Sequence, residues 1–365
     1  MKLIPLVKSR MPSKARLMPE LEKVLYSGFV AQGEQVDLFE QAFQGYIGGT
    51  GYSLSLNSGT AALHIALILA GVKEGDEVIS TALTAEPTNV AIKMIGAKIR
   101  YADIDINTGC IDPKSIEINL NEKTKAIMVV DYGGVPVNVP AIKIISERKN
   151  IPVIHDAAHS LGSKFNSILS GNHFAYTIFS LQAIKHLTTI DGGILQIASK
   201  FEYEKAKLIR WFGIDKRITR LENNIQFQGY KYHMNNVNAV IGLVQLTEIK
   251  EVIDSYIENG RFYDAELLNV PGIELLKYYP GSEPSYWLYT MKVENRDGFI
   301  NKLAKHGVVA SELHKRNDLH DYLNDFRSPL PALDAFYNKL IHIPCGWWVS
   351  TEDREKIVDI IKSGW

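Results

Sequence analysis

The chain has 365 residues, 46% of them hydrophobic, which is enough for about two domains around a sizeable core. Its 40 lysines and arginines nearly cancel its 41 aspartates and glutamates, so there is no electrostatic footing for nucleic acid or an anionic membrane surface. Two cysteines, Cys110 and Cys345, are too few for a disulfide framework, and no CxxC or Cys/His cluster suggests zinc or another metal. The opening "MKLIPLVKSRMPSK" lacks the apolar run of a signal peptide, and no stretch approaches 18 apolar residues. The expectation is a cytoplasmic globular protein.

Along the chain, short apolar runs alternate with helical patterns: "DEVIST" (76–81), "EPTNVAIKMIG", "KIRYADID", then "KAIMVVDYGG", "VPAIKIISERKN" and "IPVIHDAAHS". Strand then helix, repeated, with strands apolar throughout, predicts a mostly parallel sheet sandwiched by helices. From 229 the sequence "GYKYHMNNVNAVIGLVQLTEIKEVIDSYIENGRFYDAEL" reads as one or two long helices. After it come a strand in "YWLYTMKVE", a helix in "RDGFINKLAKHG" and a closing helix in "STEDREKIVDIIKSGW", capped by Ser350 or Thr351. The division expected is a large α/β domain over 1–245 and a smaller α+β C-terminal domain over 246–365.

Three stretches of the large domain carry chemistry. In "LNSGTAALHIALILAG", Asn57, Ser58, Gly59 and Thr60 lead into a helical run, and free N–H groups at a helix start attract an anion. In "IPVIHDAAHS", Asp156 ends a buried strand, where α/β sheets place ligands, and His159 follows three residues on. In "FSLQAIKHLTTIDGG", Lys185 stands in an apolar, hydroxyl-rich run, five residues after Ser180 and ahead of Gly192 and Gly193. Each alone has a plainer explanation: a helix cap, a core histidine, or a surface lysine with its head in water. Together they ask for one ligand. A helix start and Ser180 suit a phosphate, a buried carboxylate suits a protonated ring nitrogen, and a desolvated lysine suits an aldehyde. Pyridoxal 5'-phosphate has all three features. No GxGxxG follows the first strands and no P-loop is present, so a dinucleotide or nucleotide-phosphate site is poorly supported.

With these residues in place the sequence resembles the DegT/DnrJ/EryC1/StrS family of sugar aminotransferases, which have the type I PLP-dependent transferase fold of aspartate aminotransferase. The resemblance runs in order through "SGFVAQGEQVDLFEQAF", "NSGTAALHIAL", "GDEVIS", "GAKIRYADID", "IHDAAHSLGS", "FSLQAIKHLTTIDGG" and "GYKYHMNNVNAVIGLVQL". It implies that Lys185 is the Schiff-base lysine, that Asp156 pairs with the pyridine nitrogen, and that His159 lies near the ring hydroxyl. Gly59, Thr60 and Ser180 match its phosphate-binding positions. It also implies a homodimer with shared active sites, in which Lys231 or His233 reaches the partner's cofactor or substrate. The implied substrates are L-glutamate and a nucleotide-linked 3- or 4-keto-6-deoxy sugar. For the sugar diphosphate the segment "ELHKRNDLH" offers His314, Lys315, Arg316 and Asn317, though a solvated loop explains it equally well.

Two positions depart from the family pattern. Ala85, in "LTAEPTN", stands where many relatives carry an aromatic residue that stacks on the cofactor, and His233 stands where Arg or Asn is usual. Alternatives to transamination are a 3-dehydratase, which has histidine in place of the lysine, and a non-catalytic PLP-binding regulator. His186 beside Lys185 keeps the first open if the register slips by one. Desulfuration would need a mobile cysteine, and neither Cys110 nor Cys345 suits that role. Trp347 and Trp348 are expected to serve packing or an interface.

Overall fold

The computed structural model describes residues 2–365. Its centre is a seven-stranded sheet in the order Tyr52–Leu56, Gly193–Ile197, Tyr176–Ser180, Val153–Asp156, Thr124–Val130, Glu77–Thr81, Lys98–Ala102. Six strands run one way. Gly193–Ile197 runs against them, antiparallel to both its neighbours. The strands read as continuous apolar runs because both faces are covered; Val78, Ile79, Ile127, Met128, Ile154 and Leu195 have no exposed surface. Each strand and helix read from 75 to 160 is present, with helices Glu86–Met94 and Val139–Lys149 as crossovers, and a further helix, Pro113–Asn119, precedes Thr124–Val130. Crossovers of this kind bring the C-terminal ends of the parallel strands to one edge of the sheet, where a crevice forms.

The stretch from 229 differs from the helical reading. Residues 230–233 are extended: Lys231 bridges to Trp211 and His233 to Leu56, and the Asn57 N–H donates to the Tyr232 carbonyl at 2.7 Å. Tyr-Lys-Tyr-His has a period of two, and the Tyr230 and Tyr232 rings stack at 4.9 Å on one side. The helix starts only where the Asn235 side chain accepts from the Asn238 N–H. A break at Thr247 and Glu248 then separates Asn236–Leu246 from Ile249–Glu266.

Beyond 266 an antiparallel sheet of Ile273–Leu275, Tyr289–Val293 and Leu340–Ile343 packs Met291 and Ile341 against Phe299 and Ile357 of two helices, Arg296–Lys305 and Thr351–Lys362. Ser350 caps the last helix in a capping box with Asp353. Asp264, near the end of Ile249–Glu266, accepts hydrogen bonds from the hydroxyls of Tyr286 (2.6 Å), Tyr289 (3.0 Å) and Tyr278 (3.4 Å). This cluster ties that helix to the segment entering Tyr289–Val293.

Candidate active site

The crevice holds a cavity of about 370 Å³, within the size range of small-molecule sites. One end is the start of helix Gly59–Leu69. Ser58 Oγ accepts from the Ala61 N–H at 3.1 Å, which leaves the N–H groups of Gly59 and Thr60 without an acceptor in their own helix. The backbone is packed close here. A Cβ on Gly193 would lie 2.5 Å from the Ser58 carbonyl oxygen, and one on Gly59 would lie 3.3 Å from Ser180 Cβ. Ser180 and Gly193 are themselves register partners. Gly59, Thr60 and Ser180 therefore converge on a cradle shaped for a small anion.

Asp156 lies opposite, buried, at the C-terminal end of its strand. Thr88 Oγ1 donates to Oδ2 at 2.7 Å, and the Ala158 N–H donates to Oδ1 at 3.0 Å. Burial raises its pKa, and the hydrogen bonds from Thr88 and Ala158 only partly oppose that. Lys185 and His155 act on this carboxylate only at a distance, and a protonated pyridine nitrogen would supply the direct cationic partner.

Lys185 lines the same cavity. Burial lowers its amine to about 7, with the Asp156 charge acting in the other direction. Its Nζ rests 3.5 Å from the centroid of Trp287, whose ring also stacks on His159 at 4.0 Å. The Gly133 N–H donates to His159 Nδ1 at 3.4 Å, so a neutral ring carries its proton on Nε2. Burial, followed by the Lys185 charge, holds His159 well below the usual histidine range. His314 faces the cavity as well. Its ring is nearly parallel to His159 at 6.0 Å, its Nε2 is buried without a partner, and burial lowers it to about 4. His186 turns the other way, to the Ser285 carbonyl at 3.2 Å and the Tyr256 ring.

The structure brings Gly59, Thr60, Asp156, His159, Ser180, Lys185 and His314 together. Lys231, His233 and Arg316 lie elsewhere. Lys231 and His233 flank the edge strand Tyr52–Leu56, and the His233 ring sits edge-on to Trp211 at 4.2 Å. Arg316 is engaged by Asp318 and Asp334. Asn317 is a buried brace, donating to the Thr84 carbonyl at 2.9 Å and accepting from Asn89 at 2.8 Å. Ala85 lines the cavity without an aromatic face, and the indole present is that of Trp287, on the His159 side. Thr88 and Trp287 were not singled out from the sequence. Thr88 reads there as one of many helix-start hydroxyls, and Trp287 as part of a strand. Neither position carries a periodic or spacing signal that links it to Lys185.

The sequence model of the DegT/DnrJ/EryC1/StrS aminotransferase family matches residues 13–362. A UDP-4-amino-4,6-dideoxy-N-acetyl-beta-L-altrosamine transaminase of Campylobacter jejuni is 31% identical over 355 residues, covering 94% of this chain and 93% of that one. The crystal structure of the sugar aminotransferase CalS13 from Micromonospora echinospora is 33% identical and superposes with a TM-score of 0.95, covering 100% of both chains. Spr1654 of Streptococcus pneumoniae, solved in a PLP form, is 26% identical with a TM-score of 0.91 over 99% of this chain and 98% of that one. The residues present fit the cofactor at three places: a cradle for its phosphate, a cation-seeking carboxylate for its ring nitrogen and a low-pKa amine for its aldehyde. The chain belongs to the DegT/DnrJ/EryC1/StrS aminotransferase family and is a pyridoxal-phosphate-dependent sugar aminotransferase.

Proposed function

We propose that this chain moves an amino group from L-glutamate to the keto carbon of a nucleotide-linked 3- or 4-keto-6-deoxy sugar. The observation that carries this reading is the convergence of Asp156, Lys185 and the Gly59 cradle on one cavity. Bound pyridoxal phosphate supplies an electron sink conjugated to the carbon that gives up or takes on nitrogen. Gly59, Thr60 and Ser180 bind the phosphate and fix the register of the ring. Asp156, steadied by Thr88, keeps the ring nitrogen protonated. His159 would be the neighbour of the ring hydroxyl. Lys185 anchors the cofactor and, once displaced by the donor, takes up and returns a proton at Nζ, which its lowered pKa permits near neutral pH.

His314, with an unpartnered Nε2 at the cavity, is the substrate-facing group of this set. Lys231 and His233 are assigned to the neighbour's site in a homodimer with shared active sites. Exposed Tyr26, Phe29, Val30, Ile218, Leu221 and Ile225 support such a contact. Arg316 contributes to the sugar diphosphate only by giving up its ion pairs. The nucleotide-sugar class is supported by the named activity of the Campylobacter jejuni relative. We read residues 1–245 as the cofactor-binding part and 246–365 as the smaller C-terminal part. We place the protein in the cytoplasm, in keeping with the unpaired, buried Cys110 and Cys345. The turn of His186 away from the cavity favours transamination over the 3-dehydratase reading, and the complete Lys185, Asp156 and His159 set favours it over a regulator.

The test is the absorption spectrum of the purified protein with pyridoxal phosphate, before and after L-glutamate, beside Lys185→Ala. Conversion from the lysine-bound band to the pyridoxamine phosphate band, in wild type alone, is expected. Incubation with 3-keto and 4-keto nucleotide sugars and mass spectrometry then identifies the acceptor. A bound cofactor that no amino donor converts would overturn the reading.

A further inference from the structure

Trp287 is held more firmly than a wall of a pocket requires. Its Nε1 donates to the Ile184 carbonyl at 3.0 Å, one residue from Lys185. Its backbone N lies so close to Gly134 that a Cβ there would approach to 3.0 Å. The preceding Tyr286 has φ of 50°, a left-handed conformation that is unfavourable for an aromatic residue. Its hydroxyl donates to Asp264 at 2.6 Å, and its ring lies against Gly260, where a Cβ would come within 2.3 Å of it. Strain of this kind persists only where the surroundings over-determine it, and it concentrates at functional sites.

The indole delivered in this way meets the amine of Lys185 at 3.5 Å and the ring of His159 at 4.0 Å. We propose that Trp287 is a positioning residue for Lys185: its face seats the amine whenever the amine is detached from the cofactor. The proposal rests on the pyridoxal-phosphate reading above.

The groups facing Lys185 leave Trp287 this task. Asp156 on the neighbouring strand is the carboxylate that acts on the amine. An ion pair between the two would occupy the oxygens meant for the ring nitrogen. His159 and His314 are kept neutral by burial and by Lys185 itself, so neither supplies a counter-charge for the ammonium. His186, on the same segment, points to Ser285. Glu86 at the cavity rim faces His320 at 3.8 Å. An aromatic face attracts an ammonium through its quadrupole without competing for a hydrogen bond.

The experiment follows the combination of pyridoxal 5'-phosphate with the cofactor-free full chain, as the rate of appearance of the lysine-bound absorbance between pH 5 and 10. Only the unprotonated amine reacts, so the acid limb of the rate profile reports its pKa; the cofactor's own ionisations are common to all variants and cancel in the difference. Trp287→Leu is expected to move the limb down by about half to one pH unit, with the rate on that limb rising about three- to tenfold. Trp287→Phe should fall between. Because Trp287→Leu also opens space beside His159, the same titration is made with a fluorinated tryptophan at 287, which keeps the ring's shape and weakens its π face. It should move the limb in the same direction. A fluorinated protein whose profile superimposes on wild type overturns the proposal. A wild-type chain that never forms the lysine-bound band overturns the pyridoxal-phosphate reading instead.

Discussion

Thr88 Oγ1 donates to Asp156 Oδ2 at 2.7 Å, joining the first turn of helix Glu86–Met94 to the end of strand Val153–Asp156. Two crossover units of the sheet thereby share one carboxylate, and the carboxylate gains a fixed orientation. Burial pushes its pKa up while Thr88 and Ala158 hold it down.

Asp156→Asn keeps the shape and removes the charge, so it should lower the rate of the glutamate half-reaction by about 10² to 10⁴. Thr88→Val removes one hydrogen bond to a charged acceptor, a loss of about 1.5–3 kcal/mol, or roughly ten- to a hundredfold. Stopped-flow absorbance with glutamate measures both. Equal rates for Thr88→Val and wild type would remove Thr88 from the account.

Lys185→Arg retains the cation and loses the neutral state, because a guanidinium stays protonated. The half-reaction should fall by about 10³ or more. Added methylamine should restore part of the rate in Lys185→Ala and none in Lys185→Arg, whose side chain still fills the space. Single-turnover rates at several amine concentrations decide it.

Burial lowers His186 and His342 to about 3, His314 to about 4 and His159 well below 6.5. On unfolding, each returns to about 6.5 and takes up a proton at acid pH. Below that value the unfolded state binds more protons than the folded one, so stability is complete above about pH 6.5 and declines as pH falls from there towards 4. His342, between Tyr132 at 3.0 Å and Thr290 at 3.1 Å, isolates one such group. His342→Gln should flatten the slope of unfolding free energy by about 1.4 kcal/mol per pH unit between 4 and 6. Urea melts across that range are the measurement, and an unchanged slope would count against a neutral, buried His342.

Gly193→Ala introduces a Cβ 2.5 Å from the Ser58 carbonyl oxygen and 2.6 Å from the Gly59 nitrogen. Both are backbone atoms and cannot turn aside. The start of helix Gly59–Leu69 must move away from strand Gly193–Ile197, and a cradle for phosphate suffers before the fold does. Equilibrium dialysis should give a Kd for pyridoxal phosphate weakened at least about tenfold, with the lysine-bound band still forming at high cofactor concentration. Gly45→Ala, where nothing lies within 4 Å of a Cβ, is the matched control.

The sequence discloses what local pattern dictates. Apolar runs of five to seven residues followed by amphipathic helices have one stable arrangement, so the parallel sheet was legible, as was the position of Asp156 at a strand end. Ser58 and Ser350 declare their helices by capping chemistry. Lys185 stands out in the sequence only beside Asp156 and the helix start at Gly59, because alone its apolar surroundings suit a surface lysine equally well. What was not legible depends on contacts distant in sequence. Trp287 meets Lys185 across 102 positions through the fold of another sheet. The extended run at 230–233 is held by pairing with Leu56 and Trp211, partners remote from it in sequence. Arg316 reads as a free cation in "HKRND", yet Asp318 and Asp334 engage it from the same segment and the next helix.

The reversed strand Gly193–Ile197 has a consequence for the amine. Because it returns directly beside Tyr176–Ser180, with Ser180 opposite Gly193, the segment carrying Lys185 is closed at its base like the bow of a key. Inside it the Leu181 N–H donates to the Gly192 carbonyl at 2.9 Å and the Thr189 N–H to the Leu181 carbonyl at 3.0 Å. The backbone under Lys185 is therefore pinned at both ends, and the four-carbon stem supplies the reach of Nζ. The lysine is a tethered reagent of fixed reach: it can swing between the indole and the centre of the cavity, and a donor or acceptor must bring its reacting carbon inside that arc.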